Sequence, residues 1–489
     1  MTTRSVPLTP VPGPRGLPVL GNLPEFGRDP LAFLTRLRDE FGDAVRWSLG
    51  PRQSLFLSRP EHIAELLAAR EHTYDILEIG WAFRRVVGRS VIMSKGDDWR
   101  RKRSLVQPTV RPRQVKAYAA TMVDCARSAA GRWQDGDRID VRREMALITQ
   151  RVVLRCLFGN DLGDGTGALA EAMNVAEREI GAELRGVSLF LPGWLTTPAR
   201  RRLLAAVATI DAEVHRLIRA RLRGEPRGGD GGEGRGGDGG EGRGGEGGGG
   251  ADGDGGADGD GDGGAENRDD LLSRLLAARD EDGRPLSPQE VRDEAVTLWA
   301  AGHETTSTAL TWTWYLLSAS PSVRDRLEAE LDRVLAGRPP TIDDYDRLTW
   351  TQQIVKEALR LYPPAWLVAG VAREGATLGG TRIPARTIVW CSQWTTHRDP
   401  RWFPRPEAFR PERWGDDSPD AVPDHAWYPF GGGQRTCLGA RFAQVEAVLV
   451  LATLAQRFRL DLPATEVSPR PGLLIQPSAP LLATLRAVP

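Results

Sequence analysis

Apolar residues return at the three- and four-residue spacing of a helix in segment after segment of this chain. No other feature constrains its fold as much. Residues 113–132, 143–158, 199–223, 288–318, 322–336, 346–361 and 438–457 all carry the pattern. In 199–223, Leu203, Val207, Ile210, Val214, Leu217 and Ile218 fall on one face. Asp269 and Asp270 open a short further helix, with Gly283 as its stop. Strand-like stretches are brief: 44–49, 54–58, 376–391 and roughly the last 20 residues. Pro363, Pro364, Pro384, Pro400, Pro404, Pro406 and Pro411 make 362–412 rich in loops. The expected class is mainly α with small β elements.

One segment cannot join that core. Residues 224–264 hold 24 of the 55 glycines, eleven acids and three arginines. Such a tract has too little apolar surface to offset the entropy of ordering it. Helical patterns bracket it, and neither flank carries a domain's worth of structure. The expectation is therefore a single domain over 1–489 with a disordered insertion at 224–266. The tract also disguises the charge. Lys and Arg total 65, as do Asp and Glu, but the tract carries −8 and leaves +8 on the remaining 448 residues. A basic body points to acidic partners. No groove-reading motif or interleaved basic-aromatic strip supports nucleic acid.

Other classes drop out quickly. There is no run of ~18 apolar residues for a membrane-spanning helix. Pro7, Pro10, Pro12, Pro14, Pro18 and Pro24 rule out a secretory or helical anchor segment at the start. A cytoplasmic protein without membrane anchor, acting as a monomer, is expected. Four cysteines in 489 residues make no disulfide scaffold. The chain lacks a GxSxG elbow, a P-loop and a strand-coupled GxGxxG. His303-Glu304-Thr305-Thr306-Ser307 begins like a zinc-protease helix, but Ser stands where the second histidine ligand belongs.

The richest constellation is Phe430-Gly431-Gly432-Gly433-Gln434-Arg435-Thr436-Cys437-Leu438-Gly439, with a helical pattern behind it. A glycine-dense loop lets backbone pass close to a large flat ligand and turns amide N–H groups toward a sulfur. Those groups and the following helix N-terminus favour a thiolate. A lone cysteine is usually a core thiol, and Cys125, Cys156 and Cys391 read that way. Cys437 does not, because Phe-x-x-Gly-x-Arg-x-Cys-x-Gly is matched at every fixed position. A cysteine thiolate on haem iron donates electron density that favours O–O cleavage.

On these residues the chain resembles a cytochrome P450, a haem-thiolate monooxygenase of the soluble bacterial type, from Pro12 to the C-terminus apart from 224–266. The resemblance implies a large, mostly helical fold with haem b between two long helices and Cys437 as the iron ligand. It implies that Trp99, Arg103 and Arg435 hold the haem propionates and that Phe430 borders the cofactor. Ala301 and Gly302 would leave room for O2, and Glu304 and Thr305 would deliver protons during oxygen activation. From the residues alone, 301–306 also reads as a kinked core helix, with threonine hydroxyls bonding back to carbonyls. Glu357, Arg360 and Arg413 match the family's buried network that locks the cysteine loop. Alone, Glu357-x-x-Arg360 reads as a surface pair. Gly370 stands where the family often has an arginine, and Arg373 lies three residues later. The glycine usual after Ile383-Pro384 is displaced, the chain continuing Ala385-Arg386.

The implied reaction inserts one oxygen atom of O2 into a C–H or C=C bond of a lipophilic small molecule, such as a terpenoid, fatty acyl or polyketide skeleton. Pocket residues by analogy come from Ile76–Val91, Trp299–Thr305, Trp366–Val368 and Leu473–Ile475. The 52 residues after Cys437 are too few for a reductase domain. Electrons from NAD(P)H would therefore arrive through an acidic ferredoxin or flavodoxin and its reductase. Arg100, Arg101, Lys102 and Arg441 are the expected docking face, although 100–103 also reads as an ordinary solvated basic face. Two other functions stay open: a hydrogen-peroxide-driven peroxygenase and a non-enzymatic haem-thiolate sensor.

Overall fold

The computed structural model describes residues 11–69, 72–77, 80–159, 165–185, 193–223, 270–464 and 466–488. The expected insertion at 224–266 lies outside them, as do Glu78 and Ile79 of the expected pocket.

The longest helix, Pro288–Ser318, runs through the middle of the molecule and is called the central helix below. Its start is written in the sequence. Ser287 accepts from the Glu290 N–H, Glu290 reaches back to the Ser287 N–H, and Pro288 takes the first helical position. At 31 residues it spans about 46 Å. It packs most extensively on helix Val141–Phe158, and also on Pro198–Arg223, on Thr349–Leu361 and on Ala440–Ala455, the cysteine helix. One apolar cluster runs through all of these. Such a helix has no solvated face to keep polar.

A five-stranded sheet flanks this body in the order Ala44–Leu49, Arg52–Leu57, Ile388–Cys391, Val368–Ala372, Tyr74–Ile76. Only the Arg52–Leu57 and Ile388–Cys391 pair is parallel. Trp47, Trp390, Phe26 and Phe33 interlock against it at centroid distances of 5.2–6.2 Å. Near the C-terminus, Pro469–Pro471 and Ile475–Pro477 form a hairpin.

The mainly α class holds, and the seven long helical segments form with their ends moved by a few residues. Three expectations need correction. The strand expected over 376–391 breaks into Thr377–Leu378, Thr381–Arg382 and Ile388–Cys391. Pro384 cannot donate to a ladder, and Arg386 takes φ +69 in a turn closed by Thr387 N–H to the Pro384 carbonyl. An arginine thus occupies a left-handed position that normally favours glycine. Helix Leu271–Ala277 ends well before Gly283. Asp280 instead collects the N–H groups of Asp282 and Arg284 in a tight turn. Helix Gly165–Arg185 was not anticipated.

Candidate haem site

Two elements carry the expected site residues: the loop with Cys437 and the middle of the central helix, which packs on the cysteine helix. The loop runs from Phe430 to Gly439, and the cysteine helix starts at Ala440. The Cys437 N–H donates to the Phe430 carbonyl at 2.9 Å, closing the loop on itself. Gly433 takes φ +63, and a Cβ there would lie 2.1 Å from the Leu67 carbonyl oxygen. The glycine is required by that close approach. Of the four cysteines, Cys125, Cys156 and Cys391 are buried and Cys437 alone is exposed. Solvent reaches Cys437, yet protein crowds it enough that burial pushes its thiol pKa up. The Gly439 N–H and the Arg103 guanidinium pull the other way. That combination belongs to a group lining a deep cleft rather than the outer surface.

The loop is fixed from behind by a charge network. Glu357 accepts from Arg360 at 2.8 and 2.9 Å, from Arg413 at 3.3 Å, and from the Trp414 indole at 2.9 Å. Arg360 also donates to the carbonyls of His397, Pro406 and Ala408, and Arg413 to Asp420 and the Pro404 carbonyl. Glu357 and Arg360 have no exposed surface, so the surface-pair alternative is excluded. His397, in the expected turn, does more than turn the chain. Its Nε2 accepts the Tyr428 N–H at 3.0 Å, just before the loop. Burial first, then Arg360 and Arg398, hold its pKa far below the usual histidine range. The ring is therefore neutral and can accept.

The expected propionate residues converge beside Cys437. The Arg435 guanidinium lies over the Trp99 ring, 4.6 Å from its centroid. Arg103 donates to the Thr436 carbonyl at 2.9 Å. Arg435 also donates to the carbonyls of Val91, Ile92 and Ser94. Arg373 pairs with Asp75 at 2.6 Å, and the Arg435 charge also acts on that carboxylate.

The central helix is buried or half-buried from Glu290 to Ser318 except at one residue, Ala301, which is exposed. The Thr305 hydroxyl donates to the Ala301 carbonyl at 2.7 Å and Thr306 to that of Gly302 at 3.1 Å. The helix remains continuous through them, so no break accompanies this back-bonding. Gly302 also meets a packing constraint. A Cβ there would meet Val153 at 3.1 Å, so the glycine lets helix Val141–Phe158 approach.

Acid–base groups cluster around Glu304, and sequence reasoning missed Glu177 and Glu446 among them. His303 lies 2.9 Å from Glu177. Burial opposes its charge, but Glu177 and the Trp299 carbonyl prevail and raise its pKa to about 9. Burial, then Glu177, push Glu304 up to about 7, against His303, Arg142 and Gln476. Glu446 of the cysteine helix is fully buried, which raises it to about 8. No spacing signal marks these partners, because they come from separate helices.

The docking face also changes. Lys102 is buried and donates to Asp98, Ser94 and the Arg89 carbonyl, so it belongs to the core. Arg101 is engaged by Asp280 at 2.8 Å and Glu290 at 2.9 Å. Arg100, paired with Asp97, and Arg441, over the Tyr345 ring, remain exposed.

These residues fit a haem: one accessible sulfur, an exposed small residue on the central helix, and guanidinium and indole donors beside the sulfur that suit carboxylates. The sequence model of the cytochrome P450 family matches residues 11–484. Cyclooctatin synthase of Streptomyces melanosporofaciens is 35% identical over 94% of this chain and 92% of its own length. Cyclooctat-9-en-7-ol 5-monooxygenase of the same organism is 33% identical over 93% and 90%. Pentalenene oxygenase of Streptomyces avermitilis is 32% identical over 93% and 92%. Among solved structures, retinoic acid-bound cyanobacterial CYP120A1 superposes with a TM-score of 0.79 over 98% of this chain and 99% of that one, at 24% identity. Among the described residues no helix is long and apolar enough to cross a membrane.

Proposed function

Since the chain belongs to the cytochrome P450 family and is a monooxygenase, we propose that it hydroxylates or epoxidises a lipophilic terpenoid. O2 is the oxidant. Electrons come from NAD(P)H through a separate acidic ferredoxin or flavodoxin and its reductase. The observation that carries the reading is a pair of exceptions: the one exposed cysteine, just before the cysteine helix, and the one exposed residue of the central helix beyond Glu290, two helices that pack together. The terpenoid choice rests on the two relatives named for oxidising cyclooctat-9-en-7-ol and pentalenene.

In this reading Cys437 ligates the iron of haem b, Arg103, Arg435 and Trp99 hold its propionates, and Phe430 borders the ring. Bound haem iron supplies O2 activation and transfer of one oxygen atom to the substrate. The chain's own residues supply orientation and protons. Ala301 leaves the cleft open beside the helix. The Thr305 hydroxyl donates to the Ala301 carbonyl, so its lone pairs can accept a proton from a donor in the cleft. Glu304, with its pKa near 7, can hold and release that proton at working pH. Arg441 and Arg100 offer positive charge to an acidic electron donor.

The test is turnover of the haem-loaded protein with a surrogate ferredoxin and reductase, under isotopically heavy O2. Cyclic terpenoids, fatty acids and polyketides serve as candidate substrates. The proposal expects a terpenoid product carrying one heavy oxygen atom. Product from fatty acids alone, or from hydrogen peroxide but not O2, would overturn it.

A further inference from the structure

The Glu304 carboxyl is held from a second element of the fold. Its Oε1 accepts a 2.6 Å hydrogen bond from the Gln476 amide, and the Gln476 Oε1 in turn accepts from Arg142 Nη2 at 2.8 Å. A carboxylate on one side and a guanidinium on the other leave only one sensible orientation for the amide. Arg142 is exposed in the first turn of helix Val141–Phe158, so two hydrogen bonds link Glu304 to the surface.

The support beneath Gln476 is rigid. It sits in the hairpin Pro469–Pro471 and Ile475–Pro477, paired opposite Arg470. Trp312 of the central helix donates its indole N–H to the Ile475 carbonyl at 2.9 Å. Trp366 donates to the Gly472 carbonyl at 3.0 Å, and the Ile475 N–H donates to the Pro364 carbonyl at 3.0 Å. The helix that carries Glu304 therefore also holds the hairpin that holds Glu304. Groups positioned on regular, packed elements keep their place better than groups on free loops.

We propose that Gln476 is a positioning residue: bridged to Arg142, it holds the Glu304 carboxyl at a fixed place within reach of the surface and sets its readiness to give up a proton. This rests on the reading of Glu304 as the acid that serves oxygen activation. The groups around that carboxyl are Glu177 from helix Gly165–Arg185, His303 from its own helix, Arg142 from helix Val141–Phe158 and Gln476 from the hairpin. Glu446 of the cysteine helix lies behind His303. Gln476 and Arg142 both favour the charged form of Glu304, and burial and Glu177 oppose it. Removing the amide takes away one favourable hydrogen bond and frees the guanidinium, so Glu304 should hold its proton to higher pH.

The experiment uses the haem-loaded protein and two readouts. The first is the infrared band of the protonated Glu304 carboxyl, identified by its loss in Glu304→Gln and titrated with pH. The second is product formed per NAD(P)H consumed. In Gln476→Met, which keeps the length but not the hydrogen bonds, the band should titrate at higher pH. A lost hydrogen bond to a charged group corresponds to roughly a tenfold change in the protonation equilibrium. Arg142→Gln, which removes a charge that favours ionised Glu304, should move the band the same way. Haem content and substrate-induced spectra should match the parent. A band that titrates unchanged in both variants overturns the proposal. Unchanged product per NAD(P)H in Glu304→Gln overturns instead the reading of Glu304 as the acid, and the infrared result still decides whether Gln476 positions it.

Discussion

The cysteine loop and the middle of the central helix are built by opposite means. Around the loop, charge is spent on holding backbone still. Arg360 alone holds three carbonyls besides Glu357, Arg413 holds another, and His397 is kept neutral so that it can accept one N–H. Around 301–307 the hydroxyls satisfy their own helix, and the charged groups behind them sit displaced from their ordinary pKa values. One region is over-determined so that a sulfur stays put. The other is left with groups that can change protonation near neutral pH. A metal ligand and a proton source need these different kinds of support.

The largest break in that contrast is removal of the sulfur. Cys437→His should abolish the thiolate signature in the carbon-monoxide spectrum of the reduced protein, because the other three cysteines are buried. Survival of the signature would place the ligand elsewhere. The next is Glu357→Gln. It leaves the buried Arg360 and Arg413 without their shared carboxylate, at a cost of about 3–5 kcal/mol. Denaturant unfolding should register that loss together with poor haem retention. A change below about 1 kcal/mol would show the loop is fixed by other contacts.

Much of this was legible in the residues. Helical spacing located the helices that pack around the cleft, and the motif at 430–439 singled out Cys437 before any packing was known. Other features were hidden for physical reasons. The basic run 100–103 gives no hint that Lys102 turns inward, since burial of a lysine depends on Asp98, Ser94 and a distant carbonyl being there to meet it. The packing role of Gly302 was hidden because it depends on where Val153 of another helix falls. Gln476 lies 172 residues from Glu304 in a proline-flanked hairpin with no periodic pattern. Helix Gly165–Arg185 packs on Pro198–Arg223, and Glu177 acquires meaning only against His303.

A smaller effect sharpens the contrast through pH. Burial raises Glu304 to about 7 and both Glu294 and Glu446 to about 8, from 4.5. A group whose folded pKa is raised contributes stability that is complete below its unfolded pKa and is lost as pH rises through the folded value. Unfolding free energy should therefore decline between about pH 4.5 and 8, and Glu446→Gln should make that decline shallower. An unchanged slope would mean that Glu446 ionises in place. The smallest effect concerns 225–265. Arg221 and Asp270, on either side of the segment, pair at 2.9 Å, so its ends are already joined. Cutting it to ~5 residues changes closure entropy by only ~2 kcal/mol, and haem content should not fall. Loss of haem incorporation would show that the segment takes part in the fold.

The central claim is that the helix side of the cleft supplies protons and the loop side supplies the ligand. Thr305→Ala measures it most directly, read as product formed per NAD(P)H consumed alongside haem content and substrate affinity. The account predicts parental haem content and affinity, with reducing equivalents diverted into hydrogen peroxide instead of product. Its hydroxyl also satisfies the Ala301 carbonyl, a role worth ~1 kcal/mol or less of stability. If Thr305→Ala loses only that much stability and forms as much product per NAD(P)H as the parent, Thr305 serves its helix alone and the claim is contradicted.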